Sequence, residues 1–315
     1  MNKGLRIVFM GTPDFAVASL RSVIDRGYEI VGVVTSPDKP AGRGRKIRFS
    51  AVKEFALEHK LRLLQPTNLK DPGFLAELRS LDADLQIVVA FRMLPEAVWR
   101  MPRLGTFNLH ASLLPEYRGA APINWAIING ETRTGVTTFF INQDIDTGAI
   151  IMQREVSISE TDSAGDLHDR LMETGSALVV ETVERIERGD YPLTKQPALE
   201  LKPAPKLNKD NCRIDWKRPM AQIYNQIRGL SPYPAAWTLL EQNERHVECK
   251  IYKTSMIDEA HELNPGTIVP AKKEIRVAVT GGFLKIEILQ LSGKRKMDAS
   301  SFLNGFQFQV GDKFI

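Results

Sequence analysis

The stretch LRIVFMGTPDFAVASLRSVIDRG, residues 5–27, decides the fold class because it predicts a strand followed directly by a helix. Its apolar run ends at Gly11, and apolar side chains then recur at helical intervals between Pro13 and Gly27. Strand and helix in alternation are typical of α/β proteins, in which helices cover a mostly parallel sheet. We therefore expect the strand at residues 6–11 to belong to such a sheet, if the pattern repeats.

The pattern does repeat along the first part of the chain, where short apolar runs alternate with amphipathic segments. The predicted strands are EIVGVVTS (29–36), LRLLQP (61–66), ADLQIVVAF (83–91) and GTFNLHAS (105–112), and the predicted helices are SAVKEFALEHK (50–60), DPGFLAELRSL (71–81) and AAPINWAIING (120–130). Runs without polar alternation indicate strands buried on both faces, as in parallel sheets.

Further along, two strands in succession are predicted within residues 134–158, and a long amphipathic helix covers residues 163–189. The following segment is interrupted by four prolines, which predicts a linker. Beyond it we expect a leading helix at 220–230 and then a small all-β barrel, in which residues 274–291 form a hairpin. The predicted division is a first domain at 1–190, a linker at 191–208 and a second domain at 209–315.

Composition limits the classes of protein to which the chain can belong. Hydrophobic residues make up 43% and charged residues 25% of the 315, the balance of a soluble globular protein. No apolar run approaches the roughly 18 residues of a membrane helix, and the N-terminal run is too short for a secretory signal, so we expect a cytoplasmic protein without membrane association. Residues 209–315 carry 16 Lys and Arg against 12 Asp and Glu, which accounts for the whole net charge of +4.

Familiar cofactor motifs are missing from the sequence. The first turn, GTPDF at 11–15, has one glycine where a dinucleotide site needs three, and no P-loop pattern occurs. Cys212 and Cys249 stand far apart and the five histidines form no metal-binding pattern, so we expect two buried thiols and no metal.

The end of the strand at 105–112 offers the best candidate for an active site. Asn108 and His110 have the same parity, so their side chains point to one face, at the carboxyl edge where parallel sheets bind ligands. Asp146, in the acidic loop DIDTG at 144–148, is a carboxylate that can reach the imidazole. Taken singly, each residue also fits a structural role: a hydrogen-bonded histidine, a turn-forming asparagine and an acidic turn.

Several motifs carry a resemblance to a known family. The segment HASLLPEYRGAAPINWAI (110–127) is similar to the H-x-S-L-L-P segment of the folate-dependent formyltransferases, and GTPDF, DIDTG, RIDW (213–216) and LSGKRKMDASSFLNG (291–305) match as well. With the basic segment SPDKPAGRGRK (36–46), the chain resembles the members of that family that act on aminoacyl-tRNA. The resemblance covers nearly the whole chain. One segment departs from it, since AFRMLP (90–95) is one residue shorter than the family's A-Y-G-x-x-L-P and lacks its glycine.

The resemblance implies a Rossmann-like catalytic domain followed by an OB-like β-barrel, acting as a monomer. It implies 10-formyltetrahydrofolate as formyl donor and initiator methionyl-tRNA as acceptor. Catalytic roles fall to Asn108, His110 and Asp146, and a segment after the strand is placed at the folate pocket. That segment comprises Ser112, Leu113, Leu114 and Pro115.

These residue types suit formyl transfer, in which an amine attacks a formyl carbon through a tetrahedral oxyanion. An asparagine amide donates a hydrogen bond to the oxyanion without titrating, and a protonated histidine adds a charged donor. Asp146 favours the charged ring and orients it, and either this carboxylate or a water bound to it accepts the amine proton. No covalent nucleophile is required.

The basic loop is the remaining feature with a functional interpretation. It comprises PDKPAGRGRKIRF (37–49) and carries Lys39, Arg43, Arg45, Lys46 and Arg48 against the single acid Asp38. A charge run of this kind is compatible with an ordinary solvated loop, whereas the resemblance makes it a wedge into the tRNA acceptor end, with Arg43 foremost. The loop also separates this hypothesis from its nearest alternative, a formyltransferase for a UDP-linked amino sugar, which does not need it.

Overall fold

The computed structural model describes residues 4–41, 46–197, 201–243, 245–271 and 274–315. Strands and helices alternate along the first part of the chain, as predicted. In chain order they are β1 (Arg6–Gly11), α1 (Asp14–Asp25), β2 (Glu29–Val34), β3 (Lys39–Ala41), β4 (Lys46–Arg48), α2 (Ala51–Glu58), β5 (Leu63–Leu64), α3 (Pro72–Ser80), β6 (Leu85–Val89), α4 (Glu96–Trp99), β7 (Thr106–His110), α5 (Pro122–Ile128), β8 (Arg133–Phe140), β9 (Ile150–Ser157) and α6 (Ala164–Arg188).

The main sheet has the strand order β5-β2-β1-β6-β7-β8-β9. Its pairs from β5 to β7 are parallel, whereas β8 runs antiparallel to β7. The predicted α/β fold with a mostly parallel sheet is therefore confirmed. The basic loop contains a short hairpin of β3 and β4, which the sequence did not predict.

The central strands form because their side chains are buried on both faces. Residues 7–10 of β1 are fully buried, and in β6 even Gln86 is only 1% exposed. Such strands need apolar side chains on both sides, which explains their unbroken hydrophobic runs. Side-chain caps define the starts of two helices. Ser50 accepts a hydrogen bond from Lys53 N at the start of α2, and Asp71 accepts one from Phe74 N at the start of α3.

The strand register sets the position of the candidate site. Gly11 at the end of β1 pairs with Val89 at the end of β6, and Val89 pairs with Leu109 of β7. His110 is thus the last residue of β7, at the carboxyl edge of the parallel part of the sheet. This is the edge at which open α/β sheets bind ligands.

The remaining elements form a β-rich structure with one leading helix. They are α7 (Met220–Leu230), β10 (Ala236–Gln242), β11 (Arg245–Ile257), β12 (Ile268–Ala271), β13 (Glu274–Val279), β14 (Gly282–Leu291), β15 (Met297–Asp298), α8 (Ala299–Leu303) and β16 (Lys313–Phe314). The predicted hairpin is β13 and β14, which pair antiparallel.

This second sheet closes on itself. Its strand order is β12-β13-β14-β11-β10-β16, and an antiparallel bridge between Thr267 and Lys313 joins the two outer strands. Phe314 N donates to Gly266 O at 2.9 Å across the same seam. The prediction of a small β-barrel agrees with this closure, since a barrel leaves no unpaired edge. Apolar side chains from α7 and the strands fill its core, among them Ile227, Ile251 and Leu284.

The chain divides into two compact units that interleave along the sequence. The first comprises residues 1–119, 134–156 and 168–203, and the second comprises 120–133, 157–167 and 204–315. Two pieces of the N-terminal half therefore pack within the second unit, where α5 lies against α7. The boundaries 1–190, 191–208 and 209–315 stay a prediction. Among the described residues, no helix is long and apolar enough to cross a membrane.

The barrel seam predicts a specific requirement for glycine. Gly266 has φ +87°, and a Cβ there would lie 2.2 Å from Phe314 O. Gly293 also has positive φ, +78°, but has no atom within 4 Å of its Cβ position. We expect Gly293→Ala to cost about 1–2 kcal/mol of unfolding free energy from its backbone conformation. Gly266→Ala should cost about 1–3 kcal/mol more because of the collision. Thermal and urea unfolding of both variants measure the difference, and equal losses would contradict the importance of the seam.

Candidate active site

Strand β7 places two polar side chains on one face of the sheet. Leu109 lies on the opposite face under α6, where a Cβ at Gly175 would come within 2.9 Å of its side chain. Asn108 and His110 project to the other face, as the strand period predicts. His110 is only 6% exposed, and Asn108 is half-buried.

Hydrogen bonding fixes the orientation of the His110 ring. Nε2 lies 2.9 Å from Tyr117 O, and since a carbonyl oxygen can only accept, Nε2 carries a proton. Nδ1 faces Asp146 Oδ2 at 3.8 Å. This distance is too long for a hydrogen bond but short enough for a strong interaction once the ring is protonated. The structure therefore brings the predicted histidine and carboxylate together.

Asp146 is held in an unusual backbone conformation. Its φ is +54°, in the left-handed region that few residues other than glycine adopt. Its Oδ2 accepts a hydrogen bond from Gly119 N at 3.0 Å, and its side chain is 15% exposed. At the end of the same loop Gly148 packs directly against β8, where only glycine fits because a Cβ would lie 1.6 Å from Phe140 O. The predicted acidic turn is thus part of the site, whereas Asp144 is exposed to solvent.

The amide of Asn108 differs from these two groups. Within the described ranges it forms no side-chain hydrogen bond, although His110 and Asp146 both do. A half-buried amide next to a histidine and a carboxylate has donors that a ligand can use. The arrangement can offer a hydrogen-bond donor, a proton-carrying ring and a carboxylate to one reacting group.

The residues after β7 form a turn that is tied down by its own polar groups. Ser112 is fully buried, and its hydroxyl donates to Glu116 O at 2.7 Å. Thr137 on β8 donates to Ser112 O at 2.6 Å and accepts from Leu114 N at 3.1 Å. Gln153 on β9 donates to Leu114 O at 2.8 Å. The hydroxyl proton of Ser112 therefore serves the turn itself.

The apolar members of the turn occupy different depths. Leu114 is buried in a small cluster with Phe139 and Ile150, and the peptide bond to Pro115 is cis. Leu113 is half-buried, and its side chain lies where a Cβ of Gly135 would be. Leu113 and Pro115 thus keep accessible surface next to β7.

Sequence reasoning missed a group of residues that support the loop of Asp146. The side chain of Gln196 is buried, and its Nε2 lies 2.9 Å from Asp146 O and 2.8 Å from Gly148 O. Its Oε1 accepts from Arg118 at 2.7 Å. Gln196 falls in the segment predicted as a linker, where four prolines were the dominant signal. Nothing local in the sequence distinguishes this glutamine.

The basic loop is described only in part. Lys39 and Lys46 lie in the β3–β4 hairpin, Arg48 is exposed, and Arg43 and Arg45 lie outside the described residues. At its entry, Asp38 forms an ion pair of 2.5 Å with Lys53 and accepts a hydrogen bond from Gln65. These hydrogen bonds lower the pKa of Asp38, and the one from Lys53 has the larger effect. Asp38, the single acid of the basic loop, is thus bound by Lys53 and Gln65, which lie outside the loop.

The shortened loop at 90–95 is held in place by the side chain of Arg92. Ala90 adopts φ +47°, and Arg92 donates to the backbone oxygens of Pro66 and Thr67. Burial lowers the pKa of Arg92. Met93 is 69% exposed. A side chain that binds two carbonyls therefore holds the loop that lacks the family's glycine.

Both cysteines are buried thiols, as predicted. Burial raises the pKa of Cys249 to about 12 and also raises that of Cys212. A thiol with a raised pKa is a poor nucleophile at neutral pH. Across the part of the chain that the structure describes, no group of three or more His, Cys, Asp or Glu could hold a metal ion.

Comparison with known proteins gives consistent matches along the chain. Residues 5–183 match the family described as formyl transferase, and residues 206–307 match the formyl transferase C-terminal domain. A methionyl-tRNA formyltransferase of Flavobacterium johnsoniae is 57% identical over 305 residues, which cover 96% of this chain and 97% of the relative. A methionyl-tRNA formyltransferase of Bacteroides thetaiotaomicron is 56% identical over 315 residues and 98% of each chain.

Solved structures share the fold at much lower identity. An N-formyltransferase from Helicobacter canadensis, in complex with folinic acid and dTDP-3-aminofucose, has a TM-score of 0.67 at 22% identity and covers 93% of this chain and 100% of its own. HypX from Aquifex aeolicus, in complex with tetrahydrofolic acid, has a TM-score of 0.66 at 18% identity and covers 99% of this chain and 51% of its own. At such identities the likeness is one of fold.

The turn after β7 leads to a prediction about Thr137. In Thr137→Val, Ser112 O and the Leu114 N–H each lose their hydrogen bond to the hydroxyl, and unpaired buried groups cost about 1–3 kcal/mol of stability each. Thr134 on the same strand is a matched control, because its buried hydroxyl has no hydrogen-bond partner among the described residues. We expect Thr134→Val to leave the thermal midpoint unchanged or raised. Equal effects of the two substitutions on unfolding would contradict the role of Thr137.

Proposed function

The chain belongs to the formyl transferase family, and on that premise we propose that it transfers the formyl group of 10-formyltetrahydrofolate to the amino group of methionyl initiator tRNA. The observation that carries the choice of acceptor is the 57% identity to a methionyl-tRNA formyltransferase, which spans 96% of this chain. Sugar formyltransferases share the fold at about 22% identity, which gives far weaker support to a sugar acceptor.

The geometry of the site supports direct transfer between the two substrates. The amine nitrogen attacks the formyl carbon, the new N–C bond forms, and the bond from carbon to N10 of the folate breaks. A proton leaves the amine and a proton reaches N10, so that no net charge is produced. The side chain that suits the developing oxyanion is Asn108, and one such donor is typically worth about 3 kcal/mol.

His110 and Asp146 complete this scheme. With Nε2 bound to Tyr117 O, the protonated ring presents its Nδ1 side to the carboxylate and adds positive charge near the oxyanion. Oδ2 of Asp146 is engaged by Gly119 N, which leaves Oδ1 to accept the amine proton, directly or through a water. We assign no covalent intermediate to the enzyme.

Substrate binding is assigned to two regions. The folate lies against the turn after β7, formed by Ser112, Leu113, Leu114 and Pro115, of which Leu113 and Pro115 keep accessible surface. The tRNA is bound by the basic loop and by the net positive second domain at 209–315. The cations of the loop are Lys39, Arg43, Arg45, Lys46 and Arg48. We further propose a cytoplasmic monomer that acts in translation initiation.

The decisive experiment offers 10-formyltetrahydrofolate with two acceptors in parallel, methionyl initiator tRNA and a UDP-linked amino sugar. We expect wild type to formylate the tRNA and His110→Ala to lose that activity, because the variant lacks the positive charge that the ring places near the oxyanion and the partner of Asp146. Folding of the variant is checked by its thermal midpoint. Transfer to the sugar alone would refute the tRNA acceptor, and transfer to neither would refute the proposed function.

The role of the basic loop has its own test in Arg43→Ala. If Arg43 contacts a phosphate, the slope of log affinity for tRNA against log salt should flatten by about 0.7 to 0.9. The matched control is Arg79→Ala, because Arg79 is an exposed arginine in the last turn of α3. Unchanged formylation and an unchanged salt slope in Arg43→Ala would make the loop an ordinary solvated one.

A further inference from the structure

We propose that Arg118 and Gln196 are positioning residues that hold the loop of Asp146 at its distance from His110. The proposal rests on the proposed function, since it concerns the same reaction. Neither side chain is assigned to a substrate, and both act through the backbone of residues 146–148. A chain of hydrogen bonds runs from Arg118 through Gln196 to the backbone of this loop.

The chemistry of the guanidinium fixes the orientation of the Gln196 amide. Arg118 approaches Gln196 Oε1 with Nε at 3.2 Å and with a terminal nitrogen at 2.7 Å. Because arginine can only donate, the oxygen of the amide must face it, and Nε2 must face the opposite way. There Nε2 donates to Asp146 O at 2.9 Å and to Gly148 O at 2.8 Å.

The loop needs this external support because its own conformation is strained. A residue other than glycine at positive φ costs about 1–3 kcal/mol and persists only where surrounding contacts determine it. Asp146 has φ +54°, while the neighbouring Ile145 is 61% exposed and packs little. Within the loop, Thr147 donates to Asn142 Oδ1 and Asp144 O. Gln196 adds an external constraint, because it binds the backbone oxygens of Asp146 and Gly148 on either side of Thr147.

Residues 117–119, which include Arg118, also position the ring of His110, the partner of Asp146. Tyr117 O accepts a hydrogen bond from His110 Nε2, Gly119 N donates one to Asp146 Oδ2, and Arg118 lies between these two residues in the chain. Residues 117–119 thus contact the ring directly and the carboxylate both directly and through Gln196. A shift of this network changes the 3.8 Å separation between Nδ1 and Oδ2. Misplacement by about 1 Å can cost about 10²-fold in rate.

A purely structural role for Gln196 is the alternative, and the chain contains a matched control for it. Gln226 in the second unit is also buried, and its Nε2 donates to two backbone oxygens, of Arg213 at 2.9 Å and of Asn211 at 3.3 Å. Its amide nitrogen thus binds two carbonyl oxygens as that of Gln196 does, and its amide is bonded to no residue of the candidate site. Replacing either glutamine by methionine removes the amide and keeps the side-chain length.

The experiment is a double-mutant cycle on kcat of formyl transfer, measured in single turnovers for the slow variants. Gln196→Met should lower kcat by about 10- to 100-fold, with KM for both substrates within about twofold of wild type. Asp146→Ala should lower kcat by about 10² to 10⁴. In the Asp146→Ala background, Gln196→Met should change kcat by less than about twofold, because the carboxylate that Gln196 positions is absent. Gln226→Met should lower the thermal midpoint and leave kcat unchanged.

Arg118 provides a second variant in case Gln196→Met does not fold. Arg118→Met should lower kcat in the same direction, and Arg118→Lys should retain more activity because one donor remains. Wild-type kcat in Gln196→Met, or the same fold loss with and without Asp146, would overturn the proposal. A raised KM with unchanged kcat in Arg118→Met would make Arg118 a binding residue and would also overturn it. Absence of formyl transfer by wild type would instead refute the proposed function.

Discussion

The pairing of β7 with a parallel strand on one side and an antiparallel strand on the other is the constraint on which the candidate site depends. Parallel pairing with β6 places His110 at the edge where Gly11 and Val89 also end. Antiparallel pairing with β8 places Thr137 beside His110, where its hydroxyl orders the next residues. The chain then leaves β8 beside Phe107 and returns through the loop that carries Asp146.

Burial of polar groups explains why most side chains of the site are hydrogen-bonded to the backbone. His110, Ser112, Thr137 and Gln196 are each less than 9% exposed, and a buried polar group without a partner is costly. Each of them is therefore bound to a backbone oxygen close to β7. The amide of Asn108 stands apart, because the described residues give it no side-chain partner. The fold thus separates groups that hold the site together from a group that is left for a ligand.

The sequence predicted much of the fold because the relevant signals are local. Unbroken apolar runs indicated β1 and β6, helical periodicity indicated α1 and α3, and residue parity put Asn108 and His110 on one face. Signals of this kind act within a strand or a turn of helix. The packing of residues 120–133 and 157–167 within the second unit escaped prediction, because it depends on partners far along the chain. The hairpin in the basic loop pairs residues only five to nine positions apart, and it escaped prediction because its charged, proline and glycine residues lack the apolar pattern of a strand.

The sequence by itself determined the order of the main strands and helices, the polar pair at the end of β7 and the acidic loop as its candidate partner. Only the tertiary structure decided that Nδ1 of His110 faces Asp146, that Tyr117 O holds the other ring nitrogen, and that Gln196 supports the loop. The physical reason is that these contacts join residues 7 to 50 positions apart through hydrogen bonds whose geometry depends on the folded backbone. Residue type gives the capacity to donate or accept, and the fold selects the partner.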